Sequence, residues 1–234
     1  MPLISVVLEH ADFVVINKPV GIPMHDPDLG ICQQLKRQFK DQGFYLVHRL
    51  DTDTSGCLLL AKHAKAAAEL STLFSQRLIN KTYFALSDKK PKKKQGKIVG
   101  DMQKTRQGNY KLTQSAHNPA VTFLQSEVLD SMRLFYLKPI TGKTHQLRVA
   151  LNTLGSPIIG DKRYKGTASD RLYLHSYALA FSYQARDYSV TCLPENGKFF
   201  SAIHMQEIKS PDELTWPKYK HPKILGSPSG SAGA

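Results

Sequence analysis

No run of strictly apolar residues is longer than five, the longest being Cys57 to Ala61 and Tyr177 to Phe181. Such a pattern predicts brief strands with a few periodic helices between them. It holds nothing close to the run of about 20 mostly apolar residues that a membrane-spanning helix needs. Two strands are expected first, Ile4 to Leu8 and Phe13 to Asn17, separated by the turn-prone stretch Glu9 to Asp12 and followed by the breakers Pro19, Gly21 and Pro23. A helix comes next, with Cys32, Leu35 and Phe39 on one face. The clearest helical period spans His63 to Ile79, where Ala67, Leu70, Phe74 and Leu78 recur three or four residues apart and turn their stripe to the core. Between these helices the run Cys57 to Ala61 suits a buried strand, so the charged residues just before it sit on a loop that enters the sheet.

After a strand at Tyr83 to Leu86, residues 87 to 108 are rich in Lys, Gln and Gly and carry no sustained apolar period, which predicts an exposed, mobile, basic loop. Strands resume at Val121 to Leu124 and Leu134 to Leu137. His145 to Leu154 reads as a helix, because Leu147, Ala150, Leu151 and Leu154 share a face and Gly155 can take the left-handed conformation that ends it. Late strands at Leu172 to Ser182 and Tyr188 to Leu193 precede Asn196-Gly197, a hairpin cue. With no internal repeat and no boundary, residues 1 to 221 are expected to form a single α+β domain, a mixed and largely antiparallel sheet flanked by helices. Residues 222 to 234, ending in the Gly/Ser/Ala/Pro stretch Gly226 to Ala234, are expected to be a flexible tail.

Composition narrows the class of protein. Of 234 residues, 41% are hydrophobic and 22% charged, which fits a globular chain and excludes a wholly disordered or collagen-like one. The N-terminus shows no cationic leader before an apolar block, so export by a signal peptide is not expected. Cys32, Cys57 and Cys192 are odd in number and too widely spaced for a zinc knuckle or redox pair, which points to a reducing cytoplasm. The formal net charge of +13 is uneven, since residues 81 to 111 hold ten Lys or Arg against Asp88 and Asp101. Excess positive charge attracts a polyanion by releasing its counterions, so nucleic acid is the first partner to consider, beside the plainer alternative of a soluble basic surface.

The most informative segment is His48-Arg49-Leu50-Asp51, followed by Thr54-Ser55-Gly56: a base, a guanidinium and a carboxylate within four residues, beside a strand. A carboxylate can serve as nucleophile or general base, and a neighbouring cation keeps it ionised at neutral pH; the plainer alternative is a salt bridge that shapes a loop. Around it stand Lys18-Pro19-x-Gly21, the full string HRLDTDTSGCLLLAK from His48 to Lys62, Lys81-Thr82-Tyr83, and TGKTHQLR from Thr141 to Arg148 with Gly160-Asp161 beyond. In this order the strings resemble the RluA-type family of RNA pseudouridine synthases, from about residue 3 to about residue 205. The family pattern starts almost at residue 1, so a stand-alone catalytic domain without an N-terminal S4-like domain is expected.

The resemblance implies an enzyme that isomerises uridine in structured RNA, breaking the bond from base to ribose, rotating the base and rejoining it through carbon, with no metal or cofactor. By the same resemblance Asp51 is the catalytic aspartate, Tyr83 the tyrosine that packs on the target base, and Arg148 the basic partner of the aspartate. Arg49 is expected to enter the space left by an extruded base, with His48 beside it in contact with RNA or shaping the loop. Lys143 is expected to touch phosphate, and Leu174 to form part of an apolar wall near the base or simply of the core. Cys57 stands where the family usually has leucine, Lys143 where it has arginine and Ser176 where it has alanine; lysine keeps the charge but loses the bidentate fork. The run Lys89, Lys90, Lys92, Lys93 and Lys94 also departs from the family pattern, and is expected to contact RNA phosphates, Lys92, Lys93 and Lys94 foremost. The expected partner is ribosomal or transfer RNA, with no membrane, no obligate protein partner and a monomeric enzyme. A basic RNA-binding module that kept the fold without the chemistry is the alternative; a glycosylase releasing free base is a third.

Overall fold

The computed structural model describes residues 3–40, 42–129, 131–202 and 208–217. Strands β1 (Ser5–Glu9) and β2 (Phe13–Lys18), helix α1 (Ile31–Gln38), strands β3 (Tyr45–Leu46) and β4 (Ser55–Ala61) and helix α2 (Ala64–Ser75) come first. Six strands follow: β5 (Asn80–Ser87), β6 (Gln95–Gly100), β7 (Met102–Lys104), β8 (Tyr110–Leu112), β9 (Ala120–Leu129) and β10 (Met132–Pro139). Helix α3 (Gln146–Thr153), strands β11 (Leu174–Tyr183) and β12 (Arg186–Thr191) and the short helix α4 (Lys198–Ala202) come last.

Ten strands form one sheet in the order β1-β2-β4-β11-β5-β10-β9-β6, with β12 also on β11 and β3 also on β4, while β7 and β8 make a separate hairpin. Among the described pairings only β11 with β4 is parallel. The expected mixed, largely antiparallel α+β architecture is therefore the observed one. Strand β4 is buried along its whole length because both faces are covered, which is why its apolar run is uninterrupted rather than alternating. Leu58 and Leu60 join one apolar cluster with Ile31, Leu35, Leu147 and Leu151 of helices α1 and α3. Cys57, Leu59 and Ala61 join another on the opposite face, closed by Ala66 and Leu70 of α2.

Helix α3 ends as its sequence predicts: Gly155 has φ 75°, and the N–H groups of Gly155 and Ser156 return to the carbonyls of Asn152 and Leu151. Helix α2 stops at Ser75, four residues before the expected end. Arg77 takes φ 61°, and the N–H groups of Arg77 and Leu78 bond back to the carbonyls of Phe74 and Leu73, closing the helix without a glycine. Leu78, at helical spacing in the sequence, is thereby exposed, while Ile79 enters the core.

Two local expectations are corrected. Residues 87–108 are not one loop, because Gln95–Gly100 pairs with β9 and Met102–Lys104 with β8. Backbone pairing holds this edge with little side-chain burial, so an apolar period was not needed to make it a strand. Asn196-Gly197 is not a hairpin turn. It leads into α4, where the Lys198 N–H is held by the Asp170 carboxylate and Phe200 enters the core. The hairpin between β11 and β12 instead turns on Gln184 and Ala185, both at positive φ, which matches the twist of the flanking strands. The expected tail, 222–234, lies outside the described residues.

Candidate active site

The parallel contact of β4 with β11 organises the site. Gly56 has φ 111°, and a Cβ there would overlap the Ser176 carbonyl oxygen, so glycine is what lets the strands meet. Strand β11 pairs on its other side with β5, bringing Ser176 opposite Tyr83. The loop that precedes β4 and carries Asp51 is thus set beside the strand that carries Tyr83.

The loop is anchored from beneath. The Thr54 N–H donates to the Asp51 carbonyl, and the buried Lys18 ammonium donates to the carbonyls of Thr52 at 2.9 Å, Thr54 at 3.0 Å, Pro19 at 3.0 Å and Asp51 at 3.5 Å. Burial brings the Lys18 pKa down to about 8, against the opposing pull of the Asp53 and Asp51 charges. The Gly21 N–H donates to the Thr52 carbonyl. The Lys-Pro-x-Gly string, which has no assigned role in the sequence, is therefore the seat of the Asp51 loop.

Arg148 lies in the first turn of α3 and is 6% exposed. Its Nη1 donates to the Asp51 carboxylate at 3.3 Å, while Nε and Nη2 form a fork on Asp161 at 2.8 and 2.7 Å. Burial disfavours the charged guanidinium, but the hydrogen bonds and charge of Asp161, with the charge of Asp51, outweigh it and raise its pKa. Arg148 thus pairs with Asp51 as expected, while most of its fork is spent on a second, fully buried carboxylate. Tyr164 completes the support, its ring 5.2 Å from the guanidinium carbon and its hydroxyl sharing a 3.0 Å hydrogen bond with His145 Nδ1. His145, held at φ 57°, sets its Nε2 4.0 Å from the Asp51 carboxylate. Burial first, and the nearby cations after it, lower its pKa despite Asp51. Sequence reasoning passed over Tyr164 and gave Asp161 no role of its own, while by resemblance it set His145, with Lys143 and Gln146, in a stretch that helps build the site. The pairing of Gly160-Asp161 with the TGKTHQLR string was the available signal.

Asp51, Arg148, Tyr83, His48, Arg49, Lys143 and Leu174 all line one cavity of about 520 Å³, a volume in the range of small-ligand sites. Tyr83 is 8% exposed, and burial, with the Asp51 charge adding to it, pushes its phenol up to about 12; the Ser176 hydroxyl pulls the other way. His48 braces the loop: its Nε2 accepts from the Leu59 N–H at 2.9 Å, and its ring stacks on Phe74 at 4.2 Å. Burial, then the Lys81 charge, brings it down to about 3, so it is neutral at pH 7. Gln146 shapes the 141–146 turn by accepting from the Thr141 hydroxyl and the Lys143 N–H, and the Lys143 ammonium donates to the Asn118 side chain. Arg49 is exposed at the cavity wall.

Lys92, Lys93 and Lys94 are exposed but do not line the cavity. Strand β5 leaves the cavity at Tyr83 and continues to Ser87, about 13 Å further at strand rise. There the Lys92 N–H caps the Leu154 carbonyl at the distal end of α3.

A family model described as RNA pseudouridylate synthase matches residues 12–153. The chain is 52% identical over 202 residues to an uncharacterised RNA pseudouridine synthase of Haemophilus influenzae, covering 84% of this chain and 90% of the relative. It is 34% identical over 184 residues to the ribosomal large subunit pseudouridine synthase C of Rickettsia conorii, covering 73% of this chain and 61% of that protein. Among solved structures, human RNA pseudouridylate synthase domain containing 1 superposes with a TM-score of 0.74 at 28% identity, covering 86% of this chain and 87% of the other. A match of this breadth, over a sheet that brings the motif strings to one cavity, makes the chain a member of the RNA pseudouridylate synthase family, and the protein an RNA pseudouridine synthase.

Proposed function

We propose that Asp51 is the nucleophile and that the protein converts specific uridines of structured RNA, ribosomal or transfer RNA, to pseudouridine. The observation that carries the reading is the Asp51 carboxylate in a cavity with Tyr83, 3.3 Å from an Arg148 that is itself locked on Asp161. A carboxylate so paired is fixed in direction, ready to add to the uracil ring or to trap the sugar carbon once the base leaves. A phenol pushed up to about 12 keeps its proton at neutral pH, so Tyr83 offers a stacking face and a hydrogen-bond donor before any transfer.

Entry of the base requires its extrusion from the RNA, at a cost of a few kcal/mol, and in this reading Arg49, exposed at the cavity wall, fills the space it vacates. Lys143 and the distal lysines Lys92, Lys93 and Lys94 hold phosphates, the latter away from the reacting base. Large-subunit ribosomal RNA, on which the Rickettsia relative acts by name, is the first substrate to try. The reading takes a monomer acting in the cytoplasm, where its three cysteines remain thiols.

The test is to map pseudouridine in total RNA from cells with and without the gene, then to restore the missing position with purified protein. Asp51→Asn should abolish restoration while leaving the fold and RNA affinity nearly intact; measurable turnover would remove Asp51 as nucleophile. Tyr83→Phe keeps the ring and removes the hydroxyl, so a large loss of rate with unchanged binding would assign proton transfer to Tyr83, and a near-normal rate would leave it stacking alone.

A further inference from the structure

The cations that face the cavity are not equally committed. Arg148 is held by two carboxylates and Lys143 by Asn118. Lys81 differs. It precedes Tyr83 by two residues on β5, which puts the two side chains on the same face of the strand, and both line the cavity. It is half-buried, yet among the described residues no hydrogen bond or ion pair engages its ammonium. Its charged neighbour is Arg77, another cation on the same wall, and the ring of His48 nearby is neutral. Burial, reinforced by Arg77, lowers the Lys81 pKa. A partly desolvated ammonium beside a like charge, with no counterion, is an unfavourable arrangement that an incoming anion relieves.

We infer that Lys81 forms a phosphate subsite, binding the phosphate of the nucleotide whose base lies against Tyr83. Two residues along a strand span about 7 Å, the scale that separates a pyrimidine ring from its own phosphate, and the row Tyr83–Lys81 leads along the cavity wall from base to backbone. The inference rests on the reading of Tyr83 as the base platform. It makes Lys81 a binding residue for the target nucleotide, distinct from the lysine run, which lies beyond the other end of β5.

The test uses the intact protein and measures binding of uridine, uridine 5′-monophosphate and uridine 3′-monophosphate by NMR titration. The wild type should bind at least one monophosphate about tenfold or more tightly than uridine, as a charge-assisted hydrogen bond would give. Lys81→Met should bind nucleoside and monophosphate alike, and Lys81→Arg should keep the preference; the amide spectrum of each variant verifies its fold. A wild type without preference, or a preference unchanged in Lys81→Met, overturns the subsite. Persistence of a Lys81-dependent preference in a protein that makes no pseudouridine in any RNA would instead overturn the activity and uphold the anion site. Activity on RNA with no Lys81-dependent preference does the reverse.

Discussion

Arg148 connects two carboxylates of unequal burial, Asp161 at 1% exposure and Asp51 facing the cavity. The fork on Asp161 fixes the plane of the guanidinium, and that plane decides where the remaining N–H points. Charge and direction can therefore be separated by mutation. Arg148→Lys should retain more activity than Arg148→Met because it keeps the charge, but less than the wild type because it loses the fork. Equal rates in the two folded variants would contradict an electrostatic role. Asp161→Asn leaves the buried cation half-compensated, so stability should fall by about 3 kcal/mol or more in denaturant melts, with turnover reduced about tenfold or more and RNA affinity little changed. Full activity in a stable Asp161→Asn protein would show that Asp51 needs no second carboxylate behind its partner.

Two segments decide how chemistry and RNA binding are divided over the fold. At the junction of β4 and β11, Gly56 combines φ 111° with a backbone oxygen in the space that a Cβ would fill. Gly56→Ala should cost about 3 kcal/mol or more and displace the Asp51 loop, seen as a lowered melting temperature with turnover lost; an unchanged melt would mean the strands can part without harm. At the far end of β5, Lys89, Lys90, Lys92, Lys93 and Lys94 are exposed around a buried Pro91. For every phosphate that a lysine no longer neutralises, the slope of log affinity against log salt should flatten by about 0.7 to 0.9. Replacing all five with glutamine should therefore weaken RNA binding at low salt and leave the modified uridine unchanged. An unchanged slope would reduce the run to a solvated edge, and a new target position would show that it selects the site.

Across the molecule, burial holds two histidines neutral: His48 over the cavity and His175 in the network with Ser55 and the Cys192 carbonyl, each brought down to about 3. Unfolded, both would titrate near 6.5. Between pH 6.5 and about 3 the unfolded chain takes up protons that the native one refuses, so stability should be complete above that window and fall as pH drops through it. The slope attributable to the pair is about two protons, and replacing His175 with Gln should remove about one of them. Melts from pH 7 to 4 would measure it, and an unchanged slope in that variant would mean that His175 is not held neutral.

The pattern along the chain sufficed for eight of the twelve described strands, for helix α3 with its Gly155 stop and for the motif strings, because these depend on side-chain periodicity and on residue types within a few positions of one another. Asp51, Tyr83 and Arg148 came from the resemblance of the strings taken together rather than from any one string, and the fold brings the three to one cavity. The pattern failed where the deciding partner is distant. The edge strand β6 exists through backbone bonds to β9, and α4 replaces a hairpin because Asp170 and the core capture Lys198 and Phe200. Lys18 reaches the Asp51 loop across 33 or more residues of chain and Asp161 reaches Arg148 across 13, and no local period encodes such pairings. The position of the lysine run relative to the cavity follows from the direction of β5, a property of sheet order. Local preference chooses elements; burial and long-range pairing choose which charges meet.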